Sequence, residues 1–313
     1  LFFPTPICYA QSSQIVMPPR INSSGATPSQ PGVITSRDNR WLKEFRIALR
    51  GGLPSESGAV GVEGPRLVEE ALHSASPIRA VLFSESGERH RARLTQYLDR
   101  PEVAIPILLT TDRLFAGIAD TEHPQGVAAL VTPRTFIFDD ISRSAANGAA
   151  ALIVVLAGVQ DPGNVGTIIR TAAAFGATAA VAAPSGQSGT ANPFAPKSLR
   201  ASAGAALHLP LLTGVALPIL LAQFRATGIR SLASSSREPS ETDQPQLTPW
   251  QVDWCQPVAL LIGNEGAGLP EEVERSADAR IRIPMSSSVE SLNAAAAAAV
   301  LFYEAARQRS SRC

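Results

Sequence analysis

From residue 150 onward the chain alternates unbroken apolar runs with helix-like stretches. The runs fall at 151–157, 178–183, 229–233, 258–262 and 280–283, and the helix-like stretches at 165–176, 193–205, 215–227, 270–277 and 291–307. Strands that are apolar throughout are buried on both faces. This part therefore predicts an α/β domain built on a mostly parallel sheet with helices on both faces. Earlier in the chain, residues 36–50 put Trp41, Leu42, Phe45 and Leu49 at helical spacing. Beyond them, β-type runs at 60–63, 79–84, 105–109 and 126–131 alternate with helices at 66–73, 89–97 and 112–116. The pattern predicts a smaller α/β/α domain over 33–133, a linker at 134–149 and the larger domain over 150–309. A stretch at 17–32 rich in Pro, Ser and Gly predicts a disordered tail over 1–32, with Met17 as an alternative start of translation. The polar loop at 234–249 has the length of either a functional loop or a plain surface excursion.

The 313 residues are 45% hydrophobic and 17% charged, the balance of a globular protein with room for two domains. Formal net charge is zero, so a nucleic-acid partner would have to be held by a local patch and not by bulk charge. The first helix offers such a patch, because Arg37, Arg40, Lys43, Arg46 and Arg50 occupy the faces its apolar residues leave. That face is either merely solvated or a phosphate-contacting surface. Cys8, Cys255 and Cys313 are far apart and the four histidines lack ligand spacing. Neither a disulfide framework nor a metal centre is expected, which fits a reducing cytoplasm. No apolar run reaches the ~20 residues of a membrane span. The opening LFFPTPICYAQ lacks a basic start and is broken by Pro4 and Pro6, so it does not read as a signal peptide.

Three stretches run from an apolar strand through Gly, Asn or Ser to a helix, the place where α/β proteins bind ligands. They are DPGNVGTIIR at 161–170, GNEGAGLP at 263–270 and IPMSSSVESLN at 283–293. The familiar nucleotide fingerprints fail on them. Gly158 and Gly163 have P-loop spacing, but Asn164 and Val165 stand where Lys and Ser or Thr would be needed. Gly263, Gly266 and Gly268 read G-x-x-G-x-G and not G-x-G-x-x-G. Taken singly, these glycines could serve only to make tight turns.

In combination and in this order, the three stretches resemble the signature motifs of SpoU/TrmH-type RNA 2'-O-ribose methyltransferases, of the SPOUT superfamily. The resemblance covers 150–308. Residues 33–131, with SRDNRWLKEFR and VGVEGPRLVEEAL, look like the L30e-like substrate-binding domain that often precedes it. The resemblance implies S-adenosyl-L-methionine as cofactor, an RNA substrate, a homodimer and a trefoil knot in the C-terminal domain. It matches Asn164 and Arg170 to the first motif's polar pair, Glu265 to the second motif's acid, and Ser291 and Asn293 to the third motif's polar pair. Gly263, Gly268, Ile283, Met285 and Leu292 match cofactor-holding positions. Ser287 stands where the family commonly has Gly, and Ala295 where it has Ser.

Glycines without a Cβ let backbone approach an adenine and a bent methionine tail, and the alanine run 294–299 adds either close packing or plain helix propensity. Ser291 is the expected N-cap of the last helix. Methyl transfer needs orientation of the acceptor and loss of its proton, with no metal. A guanidinium is a poor base, so Arg170 is expected to stay charged, anchor a phosphate and stabilise the developing alkoxide, unless it merely pairs with Glu265. The expected activity is cytoplasmic 2'-O-methylation of ribosomal RNA, with transfer RNA or a non-catalytic RNA-binding role as alternatives.

Overall fold

The computed structural model describes residues 33–50, 58–98, 105–143, 148, 150–186, 189–237, 245–286 and 291–312. The tail at 1–32, part of the loop at 234–249, and Ser287 lie outside them. In chain order the first elements are α1 (Arg40–Arg50), β1 (Val60–Glu63), α2 (Pro65–His73), β2 (Ile78–Ser84), α3 (Arg91–Leu98), β3 (Ile107–Thr110), α4 (Asp112–Ala116), β4 (Val127–Val131) and α5 (Phe138–Ser142). The strands form a sheet in the order β1-β4-β2-β3, antiparallel except for the β2–β3 pair.

Side chains alternate across this sheet as the pleat requires. Ala80, Leu82, Ala128 and Leu130 pack with Leu42, Phe45 and Leu49 of α1 and with Phe115 of α4. Val81, Phe83, Val127 and Ala129 face the other way, onto Leu67 and Val68 of α2 and Leu94 of α3. The expected α/β/α sandwich is present. Gly61 lets α1 lie directly on β1, since a Cβ there would fall 2.8 Å from the Ala48 carbonyl carbon. Residues 134–149, read as a linker, contain α5, whose Ile141 is buried with Ile153 and Phe224 of the larger domain.

That domain follows with β5 (Leu152–Ala157), α6 (Pro162–Ala174), β6 (Ala179–Ala183), α7 (Pro196–Ala201), α8 (Ala205–His208), β7 (Leu211–Thr213), α9 (Leu217–Ala226), β8 (Arg230–Ser234), β9 (Gln246–Leu247), β10 (Val258–Ile262), α10 (Glu271–Ser276), β11 (Ala279–Ile281) and α11 (Ala294–Arg312). Among the described residues the sheet order is β7-β6-β5-β10-β8-β11-β9, and every pairing is parallel. Leu152, Val154 and Leu156 pack with Ile168 and Ile169 of α6 and with Ala298 and Phe302 of α11. Ile153 and Val155 pack with Leu220 and Phe224 of α9 on the opposite face. Helices on both faces explain why these strands are apolar end to end.

Two details depart from the sequence reading. The last helix begins at Ala294, and its cap is Asn293, not Ser291: the Asn293 side-chain oxygen accepts from Ala295 N at 2.8 Å and Ala296 N at 3.3 Å. Both residue types suit a cap, and pattern alone does not fix a helix start to two residues. Cys255 is disulfide-bonded, where unbridged cysteines had been expected. The far end of α11 is tied down by Arg309, which donates to Trp254 O at 2.7 Å and Ala150 O at 2.6 Å.

Candidate functional site

Parallel strands bring their C-terminal ends to one edge. There β8, β10 and β11 open onto a cavity of about 310 Å³, within the ~300–1,000 Å³ of small-molecule sites. All five residues matched to cofactor positions line it: Gly263, Gly268, Ile283, Met285 and Leu292. Glu265 and Ser291 line it too. The sequence reading had not singled out Ser234, Ser235, Ser236 or Asn264, which complete the wall. A polar run at the end of an apolar strand was the available signal for the three serines.

The loop after β10 is folded back on itself. Asn264 and Gly268 exchange backbone hydrogen bonds of 3.0 Å each way, and Asn264 Oδ1 accepts from Gly266 N and Ala267 N. A Cβ on Gly263 would sit 2.5 Å from the Gly268 carbonyl carbon, so only glycine allows this approach. Asn264 Nδ2 then donates to Gly158 O at 3.0 Å, joining this loop to the one after β5.

A chain of side-chain hydrogen bonds links the three motifs. Glu265 Oε1 accepts from Asn164 Nδ2 at 3.0 Å and Asp161 N at 3.1 Å, while Oε2 accepts from Gln160 N at 3.1 Å. Asn164 Oδ1 in turn accepts from Asn293 Nδ2 at 3.2 Å. Burial alone would raise the Glu265 carboxyl. The hydrogen bonds from Asn164 and from backbone N–H groups outweigh it and hold the group below its ordinary range. At the base of the first motif, Asp161 caps α6 by accepting from Asn164 N at 2.9 Å. The bond from Lys197, with that from Asn164, likewise depresses its carboxyl.

Arg170 is not brought to the cavity. It lies exposed on α6 with no ion pair or hydrogen bond among the described residues, so the alternative of a pair with Glu265 does not occur. The basic residues of the first helix are also remote. Arg37, in the turn before α1, and Arg40 and Lys43 on it are exposed, and Arg46 is half-buried; α1 covers the small sheet on the face away from the larger domain. Lys43 pairs with Asp38 at 3.5 Å. Arg40 and Arg79 both lie over Trp41, at 5.5 and 5.6 Å, whereas Arg50 is occupied by Ala119 O at 2.9 Å. No group of three His, Cys, Asp or Glu among the described residues is placed to hold a metal.

S-adenosylmethionine fits the cavity by chemistry. Ile262, Ile281, Ile283 and Leu301 make an apolar wall of the kind an adenine ring needs, beside a glycine-lined loop. When bound it supplies an electrophilic methyl on a sulfonium. On the chain's side, Glu265 is bonded to the loop after β5, and Asn164 and Asn293 are joined by a hydrogen bond.

Comparison with known proteins identifies the family. The SpoU rRNA Methylase family model matches residues 151–303, and a model for RNA 2'-O ribose methyltransferase substrate binding matches 62–137. An uncharacterized tRNA/rRNA methyltransferase from Synechocystis sp. is 33% identical over 88% of this chain and 94% of its own. The 23S rRNA (guanosine(2553)-2'-O)-methyltransferase RlmP of Bacillus subtilis is 29% identical over 86% and 97%. Among solved structures, the AdoMet-bound rRNA methyltransferase from Sinorhizobium meliloti superposes with a TM-score of 0.71 at 28% identity, covering 89% of this chain and 98% of that one. The SpoU methyltransferase AviRb from Streptomyces viridochromogenes, in complex with AdoMet, gives 0.70 at 28% identity, covering 87% and 100%. With its three motifs joined beside a cofactor cavity, the chain belongs to the SpoU rRNA methylase family and is an S-adenosylmethionine-dependent RNA 2'-O-methyltransferase.

Proposed function

We propose that the enzyme methylates a ribose 2'-hydroxyl of ribosomal RNA, in the cytoplasm, as a homodimer whose C-terminal domain is knotted. The observation that carries the site assignment is the chain Glu265–Asn164–Asn293, one end of which lines the cofactor cavity. In this reading Asn164, Ser291 and Asn293 orient the ribose, and Glu265 fixes the loop that carries Asn164. Arg170, the sole cation of α6 and exposed, stays charged, binds a neighbouring phosphate and stabilises the alkoxide as the hydroxyl loses its proton. Residues 33–133 supply RNA affinity, with Arg37, Arg40, Lys43 and Arg46 as phosphate contacts.

Ribosomal RNA is favoured because RlmP and the Sinorhizobium meliloti enzyme carry rRNA alone in their names, whereas the Synechocystis relative's name gives tRNA and rRNA together. Dimerisation is favoured by α11, which exposes Val300 at 42% and Tyr303 at 58% beside α6. The decisive assay uses cofactor tritiated on the methyl group with ribosomal and transfer RNA from cells lacking the protein, followed by digestion to nucleosides. Label should appear in 2'-O-methylnucleosides of ribosomal RNA. Label confined to transfer RNA, or found on a base, overturns the reading.

A further inference from the structure

Helices α7 and α8 belong to the larger domain by sequence, yet both make contacts with the smaller domain. Two cations three residues apart on α7 make contacts in different domains. Lys197 Nζ lies 2.7 Å from Asp161 Oδ2, the residue whose other oxygen caps α6 at Asn164 N. Arg200 Nη1 lies 2.8 Å from Asp120 Oδ2, in the loop between α4 and β4 of the smaller domain. That loop is itself anchored: Glu63, buried at the end of β1, accepts from Asp120 N at 2.9 Å and from the Thr121 hydroxyl.

Between these two contacts α7 has no slack. It rests on Gly166 of α6 so closely that a Cβ there would fall 2.3 Å from Ser198 O and 2.7 Å from Ala201 Cβ. Ser198 and Leu199 are fully buried, and Ser198 Oγ donates to Asn192 O at 2.8 Å. The following turn repeats the docking. Ala203 and Gly204, both at positive φ, lead into α8, and His208 Nε2 there lies 3.1 Å from Glu70 Oε2 of α2.

A short, closely packed helix bonded at one end to the cap of the catalytic helix and at the other to the neighbouring domain can carry position from one to the other. We propose that α7 couples the placement of the smaller domain to the first motif, with Arg200 and Asp120 as positioning residues for methyl transfer. Neither residue lines the cofactor cavity. The proposal rests on reading residues 33–133 as the domain that holds RNA. It differs from plain interdomain adhesion in one respect: adhesion would show in stability, whereas coupling shows in the order of the loop at 158–164 and in the rate.

Two measurements on the full-length chain test it. Hydrogen exchange without RNA should show faster exchange at 160–166 in Arg200→Ala, with melting temperature and cofactor Kd close to wild type. Single-turnover methylation of ribosomal RNA should slow by about three- to tenfold in the same variant. The exchanged pair Asp120→Arg with Arg200→Asp should recover most of the rate. Because both cations act through one helix, Lys197→Met combined with Arg200→Ala should cost little more than the worse single variant. Additive losses, unchanged exchange at 160–166, or a lower melting temperature with an unchanged rate each overturn the coupling. Failure of the wild type to label ribosomal RNA counts against the substrate assignment alone, since the exchange measurement needs no RNA.

Discussion

Glu265 is a carboxylate bonded to backbone and amide N–H groups. Its oxygens accept from Gln160 N, Asp161 N and Asn164 Nδ2, which ties it to the first motif, and a carboxyl kept below its ordinary range is a weak base. A depressed carboxyl contributes order above its unfolded pKa, near ~4.3, and loses it as pH falls through the folded value. Single-turnover rates between pH 6 and 8 should therefore show no ionisation removed by Glu265→Gln. That variant should instead weaken cofactor binding on the order of tenfold, by replacing an ionic acceptor of three N–H groups with a neutral amide. Arg170→Ala should lose about 10²–10³ in rate while keeping cofactor affinity, and Arg170→Lys should recover part of the loss. A rate that follows a group shifted by Arg170→Lys would make Arg170 the base. Asn164, Glu265 and Asn293 were legible through the order of the three motifs and the family they resemble, and the structure joins them, while Arg170 of the same motifs stands apart. Lys197 and Arg200 were not legible, since an ion pair such as Arg200–Asp120 joins positions far apart in sequence and leaves no local pattern.

At the level of elements, α11 does two jobs from one residue. Asn293 caps the helix with its oxygen and reaches Asn164 with its amide. Asn293→Asp should keep the cap but place an anion against Asn164 Oδ1, whereas Asn293→Ala loses both, at about 1 kcal/mol for the cap. Thermal melts should then rank Asn293→Ala below Asn293→Asp, with methylation lost in both. Equal melting temperatures would show that the cap is not what starts the helix. Part of the alanine run is packing and not only propensity, for Ala295 and Ala298 are buried against α6 while Ala296 is exposed. Further along the same helix Leu301 and Phe302 are core, and of residues 301–303 only Tyr303 faces outward. Long apolar strands were read correctly because burial on both faces leaves no ambiguity. Strands β7 and β9, three and two residues long, were missed, whereas β11, also three residues, was read at 280–283.

For the whole molecule, the boundary between the domains is less free than a linker implies. Val60, Val62 and Leu67 of the smaller domain share one continuous apolar cluster with Leu199, Ala206 and Leu207 of the larger. A chain begun at Ala150 should therefore melt at a lower temperature than the full chain even where it still binds cofactor, and calorimetry of both would show it. An unchanged melting temperature would mean that the shared cluster adds nothing. Sedimentation at micromolar concentration should give a dimer, and Tyr303→Glu should shift it toward monomer. A fully active monomer would remove the dimer from this account. The claim beneath all of these is that the motifs joined at Asn164 methylate one class of ribose hydroxyl. Mapping 2'-O-methyl groups across ribosomal and transfer RNA tests it most directly, in cells lacking the protein and in the same cells supplied with wild type or Asn164→Ala. The account predicts a ribosomal site that is unmethylated without the protein, restored by wild type and not by Asn164→Ala; full restoration by Asn164→Ala, or no change at any ribosomal position, would contradict it.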